Sequence, residues 1–565
     1  MQQEKIVETK KCTHCGASFE ITDKDLEFYE KVSPVFDGVK YSIPTPTFCP
    51  ECRQQRRLSF RNERKLYKRS CDATWKNIIS VFSPDKKYPV YSSDEWWSDK
   101  WNPLDYGKDI DFSRPFFEQI NKLMEEVPKI EKLIMSTQNC DYNNIIWNSK
   151  NCYMCSTTFQ SEDCMYSYWC VESKNCMDDS TIFRGEWLYE CLNCNNSYNL
   201  KFCENCMDCG ESYFLYNCSW CKNCFLCSNL LNKQYCILNK EYTKEGYTEK
   251  INTLLNEWFN SLKHDFGKLK KETIRKYFTS KNSTDCTWDY IFDSKNCKSC
   301  YNIIDWEDIK YCYDSAVSLK DSMDMSMIWD VVELMLEAQA SWYNWYKSAF
   351  VNFCWTGKNL YYCDYCMYCE DCFWCVWLRN KKYCILNKQY TREEYETLVP
   401  KIIEHMKSTW EWGEFFPSSI SPFGYNETVA SEYYPLGRDV ALQHLYKWSD
   451  YENPRPDVSK IIPASKLPDD ITKVPDDILN WAVECEVTGK PFRIIKQELE
   501  FYRKHNLPIP RRHPDQRHLD RMALRNPRKL FERKCDKCWV DMKTTYSPER
   551  PEIVYCENCY NKEIL

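Results

Sequence analysis

The stretch NCSWCKNCFLC, Asn217 to Cys227, places four cysteines three residues apart. The same period covers a much longer segment, because all sixteen cysteines from Cys140 to Cys236 fall on one of the three possible registers. The other seventeen positions on that register hold six serines, six aliphatic residues and one each of Thr, Gly, Asn, Asp and Lys. The segment also holds eighteen aromatic residues, all on the other two registers. The cysteine register therefore accepts small residues and excludes rings.

A position with this composition is an interior position in a narrow space. An α-helix cannot keep a period of three on one face, since it has 3.6 residues per turn, and a plain strand alternates with a period of two. Cysteine spacings of 12 and 15 recur along the segment. The pattern predicts a thin β-solenoid with coils of 12 or 15 residues, in which one residue of each triplet points inward. The triplet cysteines are then structural, which suits free Cys as a small buried residue.

The pattern returns between Cys297 and Cys384 on a single register, with Cys286 displaced by one residue. Residues 331–347, VVELMLEAQASWYNWYK, interrupt this register and are predicted to be helical. Each copy is expected to end in a helix that caps the open solenoid, starting at Thr243 in the first copy and at the capping box Thr391-x-x-Glu394 in the second. Most aromatic residues outside the register are expected to pack beneath helices at 112–135 and 245–262 and against the other solenoid. The alternative is that they form exposed ladders that bind a partner, a sugar or nucleic-acid bases.

Two CxxC turns lie near each end of the chain. One CxxC turn can direct two thiolates at an ion, and two such turns complete the four-thiolate shell of structural zinc. The sequence therefore predicts two zinc ions per chain, each without an open coordination position for a substrate. The predicted ligands are Cys12, Cys15, Cys49 and Cys52 at one end and Cys535, Cys538, Cys556 and Cys559 at the other.

The two ends are copies of one module. RNERKLYKRSC at 61–71 aligns with RNPRKLFERKC at 525–535, and LEFY occurs in both copies. Each copy has room for two metal sites, of which one keeps all four cysteines. The decayed sites read Cys71, Thr74, Ser92 and Glu95 in the first copy and Cys485, Thr488, His513 and Gln516 in the second.

A basic run lies inside each copy. Residues 53–69 hold eight basic residues against one acidic residue, and residues 500–534 hold eleven against four, in a chain whose net charge is −7. Basic surface beside a zinc module is a common footprint for the phosphates of nucleic acid. The alternative is a solvated helix face or an intramolecular contact with the acidic middle of the chain. The candidate nucleic-acid-binding residues are Arg53, Arg56, Arg57, Arg61, Arg64, Arg511, Arg512, Arg517, Arg521, Arg525 and Arg528.

The remaining features disfavour several classes of protein. No stretch approaches the 18 or so apolar residues of a membrane span, and neither GxxxxGK[ST] nor GxGxxG occurs, so neither a membrane nor a nucleotide cofactor is expected. The N-terminus lacks a secretory signal, which places the 37 cysteines in the reducing cytoplasm as free thiols. The cysteine-rich segments contain no histidine, the usual base for a catalytic cysteine, so an enzyme is disfavoured.

These features predict a multidomain, mixed α+β protein in which two zinc-finger-like end modules flank two short β-solenoids with capping helices. The predicted boundaries are 1–111 for zinc module A, 112–138 for a linking helix, 139–275 and 276–412 for the solenoids with their capping helices, 413–480 for an ordered-to-loose connector and 481–565 for zinc module B.

The end modules resemble zinc-ribbon and treble-clef zinc fingers, through CTHC with CPEC and through CDKC with CENC. Over nearly its whole length, with NCxxC triplets, CILNKxYT and GKPFRI, the chain resembles the uncharacterised cysteine-rich zinc-ribbon proteins of uncultured small-genome bacteria. This resemblance implies zinc binding and carries no established activity.

The leading hypothesis is a non-enzymatic, zinc-binding scaffold or binding protein, with nucleic acid bound through 53–69 and 500–534, or a protein, as the candidate partner. The alternative is a redox or soft-metal-handling protein that uses the cysteine ladder of the middle segment, for example through an iron–sulfur cluster at Cys203, Cys206 and Cys209. The partner, the process served, the oligomeric state and the packing of the two solenoids stay open at this point.

Overall fold

The computed structural model describes residues 4–255, 259–328 and 331–564. It has the predicted mixed α+β architecture, with coiled β segments in the middle and a smaller module at each end. The helix predicted at 245–262 includes residues 256–258, which lie outside the described residues.

The N-terminal part consists of short strands and helices. Its elements are β1 (Ile6–Lys11), β2 (Ser18–Thr22), α1 (Asp23–Val32), β3 (Val35–Phe36), β4 (Val39–Lys40), α2 (Pro50–Leu58), β5 (Tyr67–Ser70), β6 (Asn77–Ser80), β7 (Val90–Tyr91), α3 (Ser93–Trp97), a 3₁₀ turn (Pro103–Tyr106), α4 (Phe116–Glu126) and β8 (Lys129–Ile130). β1–β2, β3–β4 and β5–β6 are antiparallel hairpins, whereas β7 pairs with β8 in parallel. α4 is shorter than the helix predicted over 112–135, because the chain turns into β8 after Pro128.

The first solenoid stacks short parallel strands. They are β9 (Ile134–Met135), β10 (Asn144–Trp147), β11 (Ser156–Phe159), β12 (Tyr168–Val171), β13 (Ser180–Phe183), β14 (Leu192–Asn195), β15 (Tyr198–Lys201), β16 (Gly210–Tyr216), β17 (Lys222–Ser228) and β18 (Gln234–Ile237), followed by β19 (Lys240–Glu241). Paired residues lie 12 positions apart, as in Ile134↔Ile146 and Cys224↔Cys236. The spacing of 15 between Cys176 and Cys191 is therefore one coil plus one triplet.

The period of three arises in the backbone. From Ile145 to Tyr235, every third residue has a φ between 48° and 58° and directly precedes a residue of the cysteine register. Asn tolerates this left-handed conformation better than most residues that carry a side chain. This preference explains the repeated Asn-Cys pair, as in Asn151–Cys152 and Asn205–Cys206.

The inward side chains bind backbone groups that the strand ladders leave unpaired. The Sγ of Cys203 lies within hydrogen-bonding distance of the carbonyl oxygens of Lys201 (3.4 Å) and Ser212 (3.8 Å), and it accepts the N–H of Leu215 from the next coil (3.4 Å). Ser149 Oγ likewise accepts the N–H of Ser161 at 3.1 Å. The interior therefore favours small side chains that both donate and accept, because an unpaired buried backbone group is costly.

Helices α5 (Lys244–Leu254) and α6 (Phe259–Glu272) separate the first solenoid from the second. The strands that follow are β20 (Arg275–Lys276), β21 (Ser280–Lys281), β22 (Ile291–Phe292), β23 (Lys295–Lys298), β24 (Tyr301–Lys310), β25 (Tyr313–Ser326), β26 (Val332–Gln339), β27 (Trp342–Asn352), β28 (Trp355–Tyr361), β29 (Met367–Phe373), β30 (Lys382–Ile385) and β31 (Lys388–Gln389). From β21 to β30 they stack in parallel as the second solenoid.

The helix predicted at 331–347 is wrong, because this segment forms β26 and the start of β27. The period breaks there since the coils lengthen to 13 residues, as in Met323↔Leu336 and Leu336↔Ala349. Three one-residue insertions add one whole triplet, so Cys354 returns to the register of Cys312. Cys286 is displaced because its coil has only 11 residues, as in Ser280↔Ile291.

The wider coils of the second solenoid admit a ring. Trp345 is 2% exposed and lies in the interior cluster of thiols and aliphatic side chains. It pairs across the ladder with Gly357, where an added Cβ would come within 2.8 Å of the indole. Glycine on the next coil therefore makes room for the indole.

The repeated CILNKxYT sequence closes each solenoid. In both copies the chain reverses, so that β18 pairs with β19 and β30 with β31 in antiparallel fashion. Asn239 caps the last coil by hydrogen bonds to the backbone of Ser228, and Asn387 does the same at Val376. The predicted helix starts are confirmed, since Thr243 caps α5 and Thr391 forms a capping box with Glu394.

The C-terminal part begins with α7 (Arg392–Ser408) and 3₁₀ turns at Ser418–Ile420 and Tyr425–Glu427. It continues with α8 (Val429–Tyr433), α9 (Arg438–Gln443), β32 (Lys460–Pro463), 3₁₀ turns at Ala464–Lys466, Ile471–Lys473 and Asp476–Asn480, β33 (Trp481–Glu484), β34 (Pro491–Phe492), α10 (Lys496–Lys504), α11 (Pro514–Met522), β35 (Phe531–Lys534), β36 (Asp541–Thr544), β37 (Val554–Tyr555) and α12 (Glu557–Ile564). The 413–480 segment is packed, because its apolar residues join Leu58 in one cluster and Leu499 in another.

Each end module shares a hydrophobic core with the solenoid that lies farther from it in sequence. Phe28 and Phe60 of the N-terminal module lie in one hydrophobic core with Phe353 and other residues of the second solenoid. Leu499 and other residues of the C-terminal module lie in a core with the first solenoid and with α5 and α6. The solenoids also touch, for example where the rings of Trp147 and Trp342 lie 5.1 Å apart. The C-terminal module also reaches the second solenoid, where Arg528 pairs with Asp314.

Candidate metal centres

Four turns share one geometry, which we call a knuckle. They begin at Cys12, Cys71, Cys485 and Cys535, and in each the N–H of the cysteine donates to the carbonyl of the fifth residue on, at 2.8–3.0 Å. The N–H of the fourth residue on donates back to the cysteine carbonyl, at 2.8–2.9 Å. That fourth residue has a positive φ in every case: Gly16, Trp75, Gly489 and Trp539. The internal duplication is therefore visible in the backbone.

Each knuckle joins two strands and faces the first turn of a helix. The pairs are β1–β2 with α2, β5–β6 with α3, β33–β34 with α11, and β35–β36 with α12. A helix N-terminus carries partial positive charge and favours thiolates. All four knuckles therefore have the backbone of a metal site, and their side chains decide which can bind an ion.

The N-terminal site brings its four predicted ligands together. The Sγ atoms of Cys12, Cys15, Cys49 and Cys52 all lie within 4.8 Å of one another, and those of Cys15 and Cys49 are 3.7 Å apart. Tetrahedral zinc with Zn–S bonds of about 2.3 Å separates its sulfur atoms by about 3.8 Å. Cys15 is exposed and the other three are buried. This geometry fits a four-thiolate metal.

The C-terminal site has the same geometry with greater exposure. The Sγ atoms of Cys535, Cys538, Cys556 and Cys559 lie within 4.8 Å of one another, and those of Cys538 and Cys556 are 3.6 Å apart. Cys535 is buried, Cys538 is exposed and the other two are half-buried. Both sites direct four side chains to one centre, which accounts for every position of a tetrahedral shell.

The electrostatics of both sites favour thiolates. The thiol of Cys52, donating to Cys49, lowers the pKa of Cys49 to about 5. Burial opposes ionisation of Cys535, but the backbone N–H groups of Cys538 and Cys556 lower its pKa to about 6. A deprotonated Cys is the form that binds a metal ion.

In the two decayed sites, residues at the former ligand positions make other hydrogen bonds. In the N-terminal module the N–H of Ser92 donates to the Sγ of Cys71 at 3.3 Å. In the C-terminal module His513 caps α11 instead, because its Nδ1 accepts the N–H of Asp515 at 3.1 Å. Outside the two four-cysteine sites, the described residues contain no group of three or more metal-ligating side chains whose ligand atoms lie within 4.8 Å of one another.

The predicted nucleic-acid-binding arginines are mostly internal. Buried Arg53 and Arg57 of α2 pair with Asp324, and Arg56 and Arg57 pair with Glu337, all across the contact with the second solenoid. The other buried ones are Arg61 beside Glu63, Arg517 and Arg521 on Asp178, and Arg528 on Asp314. Arg64, Arg511 and Arg525 are half-buried and Arg512 is exposed. Nucleic-acid binding through these residues stays a prediction, and most of them already have a carboxylate partner.

Sequence reasoning gave the intramolecular contact as an alternative but did not identify the carboxylates. Asp324 lies 271 residues from Arg53, and no local motif marks it. One signal was present: the basic and acidic residues of the chain are segregated, which favours long-range pairing.

The buried thiols of the solenoids have pKa values shifted in both directions. Burial raises the pKa of Cys170 well above its usual value and that of Cys176 to about 12. At Cys191 burial also opposes ionisation, yet the S–H groups of Cys194 and Cys203 lower its pKa to about 5. All 37 cysteines lie among the described residues, and all are free thiols.

Within the described ranges, no helix is both long and apolar enough to cross a membrane. No protein-family model and no curated protein matches the chain. Among solved structures, one similar chain is described as a "putative acetyltransferase" from Desulfovibrio desulfuricans G20. It shares 7% identity over 40% of this chain and 65% of its own length, with a TM-score of 0.10. A likeness this slight supports no statement about the fold or the activity of this protein.

Proposed function

We propose that the protein is a zinc-stabilised, non-enzymatic scaffold or binding protein of the cytoplasm, in which two zinc ions hold the end modules against the solenoids. The proposal for zinc rests on two four-thiolate sites with nearly tetrahedral sulfur spacing. The proposal for the cytoplasm rests on 37 free thiols.

One observation carries the proposal: candidate metal ligands lie on the same helix as the arginines that contact the second solenoid. Cys52 is followed directly by Arg53 on α2, and Arg56 and Arg57 lie one turn later. A metal bound at Cys49 and Cys52 fixes the first turn of α2. It therefore orients the arginines that contact Asp324 and Glu337.

The second site would fix the other terminus in a similar way. Cys556 and Cys559 lie at the start of α12, whose Tyr560 receives a hydrogen bond from Asn217 of the first solenoid at 2.9 Å. β37, just before this helix, pairs with β20 between the two solenoids. Each metal site thus lies where a terminus meets a solenoid.

The redox or soft-metal alternative is supported by solenoid thiols whose pKa is lowered by neighbouring S–H groups, such as Cys191 beside Cys194 and Cys203 and the equivalent Cys363, both to about 5. Against it, Cys191, Cys194 and Cys203 are completely buried, and these three do not form a group whose ligand atoms all lie within 4.8 Å of one another. The scaffold proposal accounts for these cysteines as hydrogen-bonding members of the coil interior.

Limited proteolysis of Cys49→Ser tests whether metal at the N-terminal site holds α2 against the second solenoid. Loss of the metal should release α2, so the region before residue 112 should be cleaved faster while the second solenoid stays resistant. Cys71→Ser is the matched control, because it removes a knuckle cysteine from the decayed site of the same module. The proposal fails if Cys49→Ser is cleaved no faster than wild type, or if both variants are cleaved alike.

A further inference from the structure

The two second knuckles carry exposed tryptophans at equivalent positions. Trp75 is 79% exposed and Trp539 is 71% exposed. Each occupies the fourth position after the first knuckle cysteine, with a φ of 60° and 62° respectively. In the first knuckle of each module, the same position is held by Gly16 or Gly489.

Neither packing nor metal binding explains these tryptophans. Glycine is the residue that this backbone conformation favours, and a bulky side chain there raises the backbone energy. With most of its surface in solvent, each indole contributes little to a core. The N-terminal copy has lost its ligands at Thr74, Ser92 and Glu95, yet Trp75 is still present. The tryptophans are thus retained independently of the metal.

Exposed lysines lie on the same hairpins as the two indoles. Lys68 and Lys76 lie on the N-terminal hairpin, and Lys534, Lys537 and Lys543 lie on the C-terminal one. Lys534 pairs with Asp541 and Lys537 with Glu563, in contacts that are open to water on both sides. Such surface pairs are weak and readily exchanged. On these two hairpins the arginines, Arg69 and Arg533, pair with Asp72 and Asp536 and are largely buried, so the lysines supply the accessible positive charge.

We propose that Trp75 and Trp539 are two stacking platforms for unpaired bases of a single-stranded nucleic acid, with the neighbouring lysines placed at its phosphates. This goes beyond the scaffold function and needs none of the buried arginines. A projecting indole beside ammonium groups provides both contacts that sequence-tolerant single-strand binding uses.

A single strand fits this surface better than a duplex. The basic helices that could enter a groove, α2 and α11, pack their arginines against Asp324 and Asp178. A single ring at the tip of a hairpin can stack only on a base that is already unpaired. The few lysines at each tip also predict a shallow dependence of binding on salt concentration.

Fluorescence anisotropy with labelled oligouridine of about 20 nucleotides tests the proposal on the full-length, zinc-loaded protein. Trp75→Ala and Trp539→Ala should each weaken binding by roughly 5- to 100-fold, because one stacked base is lost, and the double variant should bind more weakly than either. Trp75→Phe should retain most of the affinity, because it keeps a ring.

Trp410→Ala is the matched control. Trp410 is 91% exposed and also has a positive φ, but it follows α7 outside both modules. Its loss should leave binding unchanged. The proposal is overturned if the wild type does not bind the single strand, if a duplex binds as tightly, or if the double variant binds as wild type does. Metal content is measured on each variant, so that loss of binding is distinguished from loss of zinc.

Discussion

Arg53, the residue after the candidate metal ligand Cys52, donates from its Nε to the Oδ2 of Asp324 at 2.9 Å, and both side chains are buried. Arg57 also reaches Asp324, so one carboxylate of the second solenoid contacts two guanidinium groups of the N-terminal module. The contact joins a predicted metal site to a solenoid strand.

Asp324→Ala should destabilise the protein by about 3–5 kcal/mol, because it leaves buried Arg53 without its carboxylate partner and removes one of the two carboxylates that Arg57 contacts. The free energy of unfolding is measured by chemical denaturation. Glu307→Ala is the control on a neighbouring strand; its partner Lys295 is exposed, and its loss should cost less than about 1 kcal/mol. Equal losses in the free energy of unfolding for the two substitutions would contradict a stabilising role for the contact between Asp324 and the arginines of α2.

The interior of the solenoids predicts which cysteine substitutions are tolerated. Cys203→Ser should change the free energy of unfolding by less than about 1.5 kcal/mol, because a hydroxyl repeats the donor and acceptor roles of the thiol. Cys203→Phe should prevent folding of the coil, because the ring has no room among the stacked thiols. Thermal unfolding and circular dichroism measure both effects. A well-folded Phe variant would exclude an inward orientation of this register.

The solenoids could be predicted from the sequence because the period of three in the cysteines follows the period of three in the backbone φ angles. The sequence could not predict β26 and β27, since the inserted residues break the period and leave an apolar pattern that resembles a helix. The two groups of four cysteines that the structure brings together could be predicted because CxxC spacing is local. The carboxylates that pair with Arg53 and Arg517 could not be predicted, because the paired residues lie 271 and 339 positions apart in sequence.

Asp179 should make stability depend on pH. Burial raises its pKa well above the usual value, and its Oδ1 accepts the N–H of Cys191 at 2.7 Å. The folded state therefore holds this proton more tightly than the unfolded state, so its contribution to stability falls as pH rises above about 4. Asp179→Asn should remove this fall, because the amide is neutral at every pH.

An amide already occupies the equivalent inward position of an earlier coil, at Asn143. Asn143 donates to the carbonyls of Cys140 and Cys152 and accepts the N–H of Cys155. Asp179→Asn should therefore be more stable than wild type at pH 7 and gain less at pH 4, as measured by thermal unfolding at both values. An equal difference at the two pH values would show that Asp179 is not responsible.

Cys286 should be the reactive thiol of the solenoids. It is the one solenoid cysteine that is not buried, and the S–H of Cys297 lowers its pKa to about 7. In the native, zinc-loaded protein, iodoacetamide should label Cys286 with a rate that rises through pH 7, and the other solenoid cysteines should react only after unfolding. Peptide mapping by mass spectrometry identifies the labelled residues. Rapid labelling of Cys191 in the native state would favour the redox alternative.

Elemental analysis of metal per chain, on protein purified without oxygen, tests the central claim most directly. The account predicts two zinc ions in wild type, one in Cys49→Ser and in Cys556→Ser, and none in the double variant, with Cys71→Ser unchanged. More than two zinc ions, or iron or copper that survives in the double variant, would contradict the account and make the thiols of the solenoids a metal site.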